Sequence, residues 1–394
     1  MVEPALLVWA RGSIGLTVAE AAKKVAVTPE RVEQWESGEA RPTIAQLRAL
    51  AAAYKRPLAV FYLPEPPMGF QALRDFRRLP DAEVGSLSPA LHGAIQRAHA
   101  VREAAVDLRA IAGEEVAPSP TVPAGRDAEQ FGLAARELLD VEIGAQVAWT
   151  DPGRALTAWI DALSERDVLV LQVQSIPITE MRGFSLSADR MPVVVLNGAD
   201  SPRGRIFTLL HEFIHVLLGA EGVCDLHTAR TNRTPSDDVE IFCNQAAASA
   251  LMPAALFGAE PKVLASGGGD RWSPEDLAAL SERYSVSQEA VLRRLYSLGL
   301  TSWEFLQERT AEFRAAYDEA REELKRRRAE AEKPGGPTYY RMKVRDLGRP
   351  FISLALDAYY RREITGVDLF EFLEIKISQI PKLEEELALT ADRP

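Results

Sequence analysis

His211, Glu212 and His215 form the pattern His211-Glu-Phe-Ile-His215, and these residue types at this spacing can bind a metal ion. The pattern lies in the apolar run Ile206–Leu218, which has no Pro or Gly before Gly219 and predicts a buried helix. Residues four apart share one face of a helix, so both imidazoles can reach one cation, and Glu212 can take a proton from metal-bound water. The alternative is two core histidines beside an unrelated glutamate. Burying three polar side chains without partners is costly, so the pattern favours a metal site.

A catalytic zinc site needs a third protein ligand and one open position. The Ala-rich stretch 237–253 begins with acidic residues and ends at a proline, which predicts a second helix. Glu240 and Asn244 are four residues apart and share a face of it. Glu240 can therefore bind the metal while Asn244 holds one of the ligands in place. The competing ligands are His227, Asp237, Asp238 and a Cys224–His227 pair.

Glu240 is the best of these candidates. Cys243 falls on another face of the predicted helix and has the character of a small core residue. Asp237 and Asp238 are equally well explained as acids at a helix start. His227 lies in a polar, Arg-rich stretch, which favours contact with solvent or substrate.

These two helices, the Gly183-Phe-Ser segment and the stretch Val193–Asn197 together resemble the ImmA/IrrE family of metallopeptidases. The specific motifs cover roughly residues 165–260. The resemblance implies a thermolysin-like (gluzincin-type) α+β fold and a Zn²⁺ ion held by His211, His215 and Glu240, with Glu212 as the catalytic base. It also implies a protein substrate, because known members cleave helix-turn-helix repressors.

Apolar stretches upstream of the metal-binding helix predict a small sheet beside it, formed by residues 168–173, 183–187 and 193–197. Met191–Asn197 is the candidate edge strand that pairs with an extended substrate. A plain core strand would have the same composition, so both roles stay open.

Residues 5–63 predict a bundle of short helices, with Thr17 as a cap and Pro29 at a first helical position. Together with Trp35-Glu-Ser-Gly-Glu-Ala-Arg-Pro-Thr43, they resemble an XRE-type helix-turn-helix domain. Its predicted recognition helix, Glu30–Glu36, is acidic. Carboxylates repel phosphates, although Glu can accept a hydrogen bond from cytosine. The remaining candidates for contacts with DNA or a partner protein are Arg31, Gln34 and Arg41. Weak or local DNA binding and protein docking both stay open.

Length and composition restrict the class of protein. A chain of 394 residues predicts two or three domains. It has no apolar run of membrane-spanning length and no signal pattern, so we expect a cytoplasmic protein without a membrane partner. Two cysteines indicate no disulfide framework. A net charge of −11 disfavours general affinity for nucleic acid.

The sequence thus predicts a mainly α protein with a small β-sheet. An all-α helix-turn-helix domain (1–68) precedes a helical connector and linker (69–126) and the metallopeptidase domain (127–262). A helical domain with a long charged helix (270–333) and a C-terminal helical unit (338–394) complete the chain. In the charged helix a heptad seam can bind the chain's own tail or a second copy, as a homodimer. The seam comprises Trp303, Leu306, Thr310, Phe313, Tyr317, Ala320 and Leu324.

The leading functional hypothesis is a zinc endopeptidase that cleaves a regulatory protein, most simply a helix-turn-helix repressor, in stress response or in the control of phages and mobile elements. Two alternatives have a non-catalytic zinc site. One is a DNA-binding transcriptional regulator, and the other is an antitoxin-like interaction protein.

Overall fold

The computed structural model describes residues 3–12, 16–54, 61, 88–123, 125–219, 222–224, 235–330 and 338–391. Within these residues the protein is mainly helical with one small sheet, which confirms the predicted fold class. The chain divides into two compact units, residues 1–74 with 78–99, and residues 75–77 with 100–394. Among the described helices, none is both long and apolar enough to span a lipid bilayer.

The N-terminal unit begins with four short helices whose sequence signals are local. Thr17 and Thr43 each form a capping box, with Glu20 and Gln46 respectively, which satisfies backbone N–H groups at the start of two helices. Apolar side chains on the facing sides form one buried core, and Trp35 is its largest member. The helices are α1 (Pro4–Gly12), α2 (Val18–Lys24), α3 (Pro29–Ser37) and α4 (Ile44–Ala53).

The second unit contains a four-stranded sheet in the order β1-β3-β2-β4. β1 and β3 are parallel, whereas β2 is antiparallel to both β3 and β4. The strands are β1 (Leu169–Val173), β2 (Gly183–Leu186), β3 (Val193–Asn197) and β4 (Gly222–Cys224).

The prediction that Met191–Asn197 forms an edge strand is wrong. β3 lies between β1 and β2, and all five of its residues are buried. A strand that is apolar on both faces is covered by other elements on both sides, and its parallel neighbour β1 is almost as apolar. In the described residues the edges of the sheet are β1 and β4.

Helices pack against strands β1 to β3 of this sheet. The helix with the histidine pair packs against β2 and β3 and against the helices before and after it. From residue 89 to the helix that follows the histidine pair, the helices are α5 (Pro89–Ile111), α6 (Ala128–Leu138), α7 (Ile143–Ala148), α8 (Pro152–Ser164), α9 (Pro202–Leu217) and α10 (Pro235–Leu251). Those that follow are α11 (Ala254–Gly258), α12 (Pro261–Ser266), α13 (Pro274–Tyr284), α14 (Gln288–Ser297), α15 (Trp303–Glu330), α16 (Tyr339–Leu347), α17 (Arg349–Tyr360), α18 (Gly366–Leu373) and α19 (Ile380–Ala391). The helices that pack against β1 to β3 are α8, α9 and α16.

One hydrophobic core joins α9 to helices that lie far along the chain. It contains Phe213 of α9, Leu277 of α13 and Leu306 of α15. Phe313 packs against the same core, so the first part of the predicted heptad seam makes intramolecular contacts. The side chains of Tyr317, Ala320 and Leu324 lie outside the described residues. A contact of the seam with a second copy therefore stays a prediction, as do the domain boundaries.

A buried arginine connects α6 to the end of α10. Arg136 donates from Nη1 to the Gln146 side chain at 2.6 Å and to the Ala250 carbonyl at 2.7 Å. Its guanidinium also lies over the Trp159 ring. Gln146 in turn donates to the carbonyls of Leu251 and Tyr284. This network satisfies carbonyl groups at the C-terminal end of α10, the helix that carries Glu240.

The C-terminal helices lie against the β1 edge of the sheet. α16 packs on β1, and α19 packs on α16. Gly348, between α16 and α17, has a positive φ of 75°, and a β-carbon there would stand 3.0 Å from the Val170 carbonyl oxygen. Glycine is therefore required by both the backbone conformation and the approach to the strand. The contact covers an edge that would otherwise expose strand carbonyls.

Candidate metal centre

α9 places both histidines inside the protein. Ser201 caps the helix by accepting a hydrogen bond from the Gly204 N–H, and Pro202 occupies the first turn. Every residue from Ile206 to Leu217 is buried, and His211 and His215 are 0% and 1% exposed. Because they are one helical turn apart, their rings meet, and the two Nε2 atoms lie 3.2 Å from each other.

Glu240 of α10 completes a group of three. Its Oε2 lies 3.3 Å from Nε2 of His211, and its Oε1 lies 3.3 Å from Nε2 of His215. The three potential ligand atoms all lie within 4.8 Å of one another. Within the described residues, this is the one group of His, Cys, Asp or Glu side chains with such an arrangement.

The electrostatics of this group are typical of a site built around a cation. Burial by itself would raise the pKa of the Glu240 carboxyl, but hydrogen bonds with His211 and His215 hold that pKa well below its ordinary value. Burial would lower the pKa of His215, yet hydrogen bonds with Cys243 and Glu240 raise it. Two imidazole nitrogens and one carboxylate oxygen are a donor set that Zn²⁺ accepts, and three protein ligands leave a fourth position open. The residues fit a metal ion.

Glu212 points from the same helix to strand β2. Its Oε2 accepts a hydrogen bond of 3.0 Å from the Ser185 hydroxyl, and both residues are 0% exposed. Burial raises the pKa of the Glu212 carboxyl, while the nearby histidines and the Ser185 hydroxyl act in the opposite direction. A buried acid beside two potential metal ligands can exchange a proton with a bound water.

Two contacts at this site were not predicted from the sequence. The sequence predicts Cys243 as a small core residue, and it is buried, but it also lies beside His215 and raises the pKa of that imidazole. Ser185 belongs to the Gly183-Phe-Ser segment that resembles the peptidase family, but nothing in the sequence indicates a role for it. Asn244, the predicted supporting residue, is half-buried and makes no hydrogen bond with the described residues, so its role stays a prediction. No sequence spacing links Ser185 to Glu212, because their contact depends on how β2 packs against α9.

The other candidate ligands are placed only in part. Asp238 is exposed at the start of α10. His227 and the side chains of Asp237 and Cys224 lie outside the described residues.

The predicted contacts of the helix-turn-helix domain lie on its surface. Arg31 and Arg41 are exposed and Gln34 is half-buried. Arg31 donates to the Gln34 side chain at 3.0 Å and lies over the Trp35 ring. A role in DNA or partner binding stays a prediction for all three.

Glu36 is the one acid of the recognition helix whose charge is paired within the domain, as far as the described residues show. The Arg11 guanidinium donates to both of its carboxylate oxygens, at 2.7 and 2.8 Å. Glu30 and Glu33 are exposed. The surface of α3 is therefore less acidic than its sequence indicates.

Two protein families match this chain. Residues 7–61 match the family described as Helix-turn-helix, and residues 166–296 match the peptidase family described as IrrE N-terminal-like domain. Both matches confirm the resemblance inferred from the motifs. The protein carries an XRE-type helix-turn-helix domain followed by an IrrE/ImmA-like domain.

More distant comparisons add little. No curated protein matches the chain significantly. Among solved structures, one titled "Mycobacterium tuberculosis transcriptional regulator" is similar, with 16% sequence identity and a TM-score of 0.29. The match covers 50% of this chain and 51% of that chain, so it spans about half the length of the solved protein.

Proposed function

We propose that this chain, in which a helix-turn-helix domain precedes an IrrE-like peptidase domain, is a zinc-dependent endopeptidase that cleaves a regulatory protein. The observation that carries the proposal is the buried group of His211, His215 and Glu240, with Glu212 on the next position of the same helix. A structural zinc site has four protein ligands, whereas this group offers three.

His211, His215 and Glu240 would hold the ion. When bound, zinc supplies a Lewis acid that polarises a carbonyl and lowers the pKa of its water. Glu240 supplies the negative charge of the ligand set, and it comes from a second helix, so the site lies between α9 and α10. The apolar surroundings of α9 exclude bulk water and strengthen these electrostatic interactions.

Glu212 is the proposed general base. Its carboxylate takes the proton of the attacking water and then gives it to the leaving amine of the cleaved peptide bond. Burial raises the pKa of this carboxyl above its ordinary value, which favours its acceptance of a proton.

The proposed substrate is a helix-turn-helix repressor, as the resemblance to ImmA/IrrE peptidases implies. The N-terminal domain would bring such a partner, or the DNA that the partner occupies, to the peptidase domain. Its exposed Arg31 and Arg41 offer positive charge, while its exposed Glu30 and Glu33 oppose general affinity for DNA.

The helix-turn-helix match also supports a second function, a DNA-binding regulator whose metal site does not catalyse. One experiment separates the two. The zinc-loaded full chain is incubated with the repressor encoded beside it, and the products are examined by mass spectrometry, with Glu212→Gln as the inactive control. Defined fragments from the parent alone support the peptidase. An intact repressor, combined with sequence-dependent DNA binding by the full chain, would support the regulator.

A further inference from the structure

Strand β2 faces α9 with two residues that approach Glu212. Gly183 and Ser185 are two positions apart on the strand and therefore point to the same side. A β-carbon at Gly183 would stand 2.5 Å from Cγ2 of Thr208 and 3.2 Å from Cγ of Glu212. The missing side chain lets strand and helix come close enough for the next same-side residue to reach the carboxylate.

Ser185 makes that contact from a fixed backbone. It pairs with Val194 of β3 on one side and with Gly222 of β4 on the other. Its hydroxyl donates to Oε2 of Glu212 at 3.0 Å, and neither residue is exposed. A hydroxyl on a strand that is paired on both sides can hold a carboxylate in one orientation.

The two carboxylate oxygens of Glu212 therefore differ. Oε2 accepts from Ser185, whereas Oε1 is buried and has no hydrogen bond with any described residue. Thr208, the other hydroxyl beside Gly183, leaves its Oγ1 without a partner in the described part of the chain and does not bind Glu212. The asymmetry leaves Oε1 without a partner in the described part of the chain.

We propose that Ser185 is a positioning residue for the peptidase reaction, and this inference rests on the proposed function. Its hydroxyl holds Oε2 so that Oε1 is the oxygen that receives the proton of the attacking water. Without it, the carboxylate rotates about its side-chain torsions and presents either oxygen in several orientations. Misplacement of a reacting group by about 1 Å costs about 10–100-fold in rate.

The first test compares turnover and metal content in zinc-loaded full-length protein, with cleavage of the repressor as the assay. Ser185→Ala should lower kcat by about 10–100-fold while KM and zinc content stay at parent values. Ser185→Thr keeps the hydroxyl and should restore part of kcat. Ser281→Ala is the matched control, because Ser281 is equally buried but donates to the Val286 carbonyl in another part of the fold. Cleavage by Ser185→Ala at the parent rate, or loss of zinc together with activity, would overturn the proposal.

The second test needs no substrate, and it separates this proposal from the proposed function. In metal-free full-length protein, Ser185→Ala should lower the midpoint of thermal unfolding in the parent but much less in a Glu212→Ala background. An equal shift in both backgrounds means that the hydroxyl does not hold Glu212, and the proposal fails. If the effect of Ser185→Ala on the unfolding midpoint depends on Glu212 but the parent cleaves no repressor, the peptidase function is contradicted. The Ser185–Glu212 contact is then still supported.

Discussion

Gly132 of α6 packs so closely against Ala246 of α10 that a β-carbon at position 132 would overlap the Ala246 carbonyl oxygen, and it would stand 2.9 Å from the Ala250 nitrogen. Small residues along both helices allow this approach. Because α10 also carries Glu240, the packing of α6 against α10 fixes where the third ligand meets the histidines of α9.

Gly132→Ala should therefore push α10 away from α6. We expect a loss of about 1–3 kcal/mol in the free energy of unfolding, as is usual when a tightly packed core is overfilled, together with weaker metal binding. Thermal unfolding and zinc titration measure the two effects. Gly144→Ala is the control, since a β-carbon on this helical glycine meets no atom within 4 Å. Gly132→Ala with the stability and zinc affinity of the parent would contradict this account of the packing.

Arg136→Met should destabilise the peptidase unit by leaving the Ala250 carbonyl and the Gln146 side chain without their donor. Each buried polar group that loses its partner costs roughly 1–3 kcal/mol. Chemical denaturation of the full chain, beside the exposed Arg154→Met as control, measures the difference. Equal stability of the two variants would show that the buried arginine is dispensable.

Gly348→Ala should loosen the C-terminal helices from the sheet, because the added β-carbon meets the Val170 carbonyl oxygen. Gly299→Ala supplies the comparison: Gly299 also has a positive φ, but a β-carbon there meets no atom within 4 Å. Hydrogen exchange in α16 should rise for Gly348→Ala alone. Exchange in α16 that is the same in both variants would contradict this account of the Gly348 contact.

Exposed acids of the recognition helix should oppose DNA binding more strongly than Glu36 does. We expect Glu30→Gln and Glu33→Gln to bind random duplex DNA a few-fold more tightly at low salt, because each removes repulsion from phosphates. Glu36→Gln breaks the ion pair with Arg11, and Glu36 is less exposed than Glu30 and Glu33, so the variant should lower stability and raise DNA affinity less than the other two. Fluorescence anisotropy of the full chain at two salt concentrations tests this. A gain in affinity from Glu36→Gln as large as from the other two would contradict it.

Much of the metal centre was predictable because its signals are periodic. The four-residue spacing of His211 and His215, and the acids and proline that bound the next helix, indicate two helices and their facing positions. Glu240 is preferred over Asp238 because Asp238 is equally well explained as an acid at a helix start, and the structure places the Glu240 carboxylate 3.3 Å from Nε2 of both histidines.

What could not be predicted depends on packing between elements that are distant in sequence. The apolar composition of Val193–Asn197 is the same for an edge and a central strand, so the position of β3 in the sheet required its partners. The contact of Ser185 with Glu212 depends on the close approach at Gly183, and the cover of β1 by α16 depends on Gly348. None of these has a spacing that sequence periodicity detects.

We propose that His211, His215 and Glu240 hold the metal while Glu212 does not. Zinc content per chain after dialysis tests it most directly, in the parent and in Glu212→Gln, Glu240→Ala, Asn244→Ala and His227→Ala. We predict about one zinc per chain for the parent, Glu212→Gln and His227→Ala, and loss of zinc from Glu240→Ala, because two histidines alone bind too weakly. Asn244→Ala should fall between, with affinity lower by about 10–100-fold. A Glu240→Ala variant that retains zinc as the parent does, beside a His227→Ala variant that loses it, would contradict this assignment.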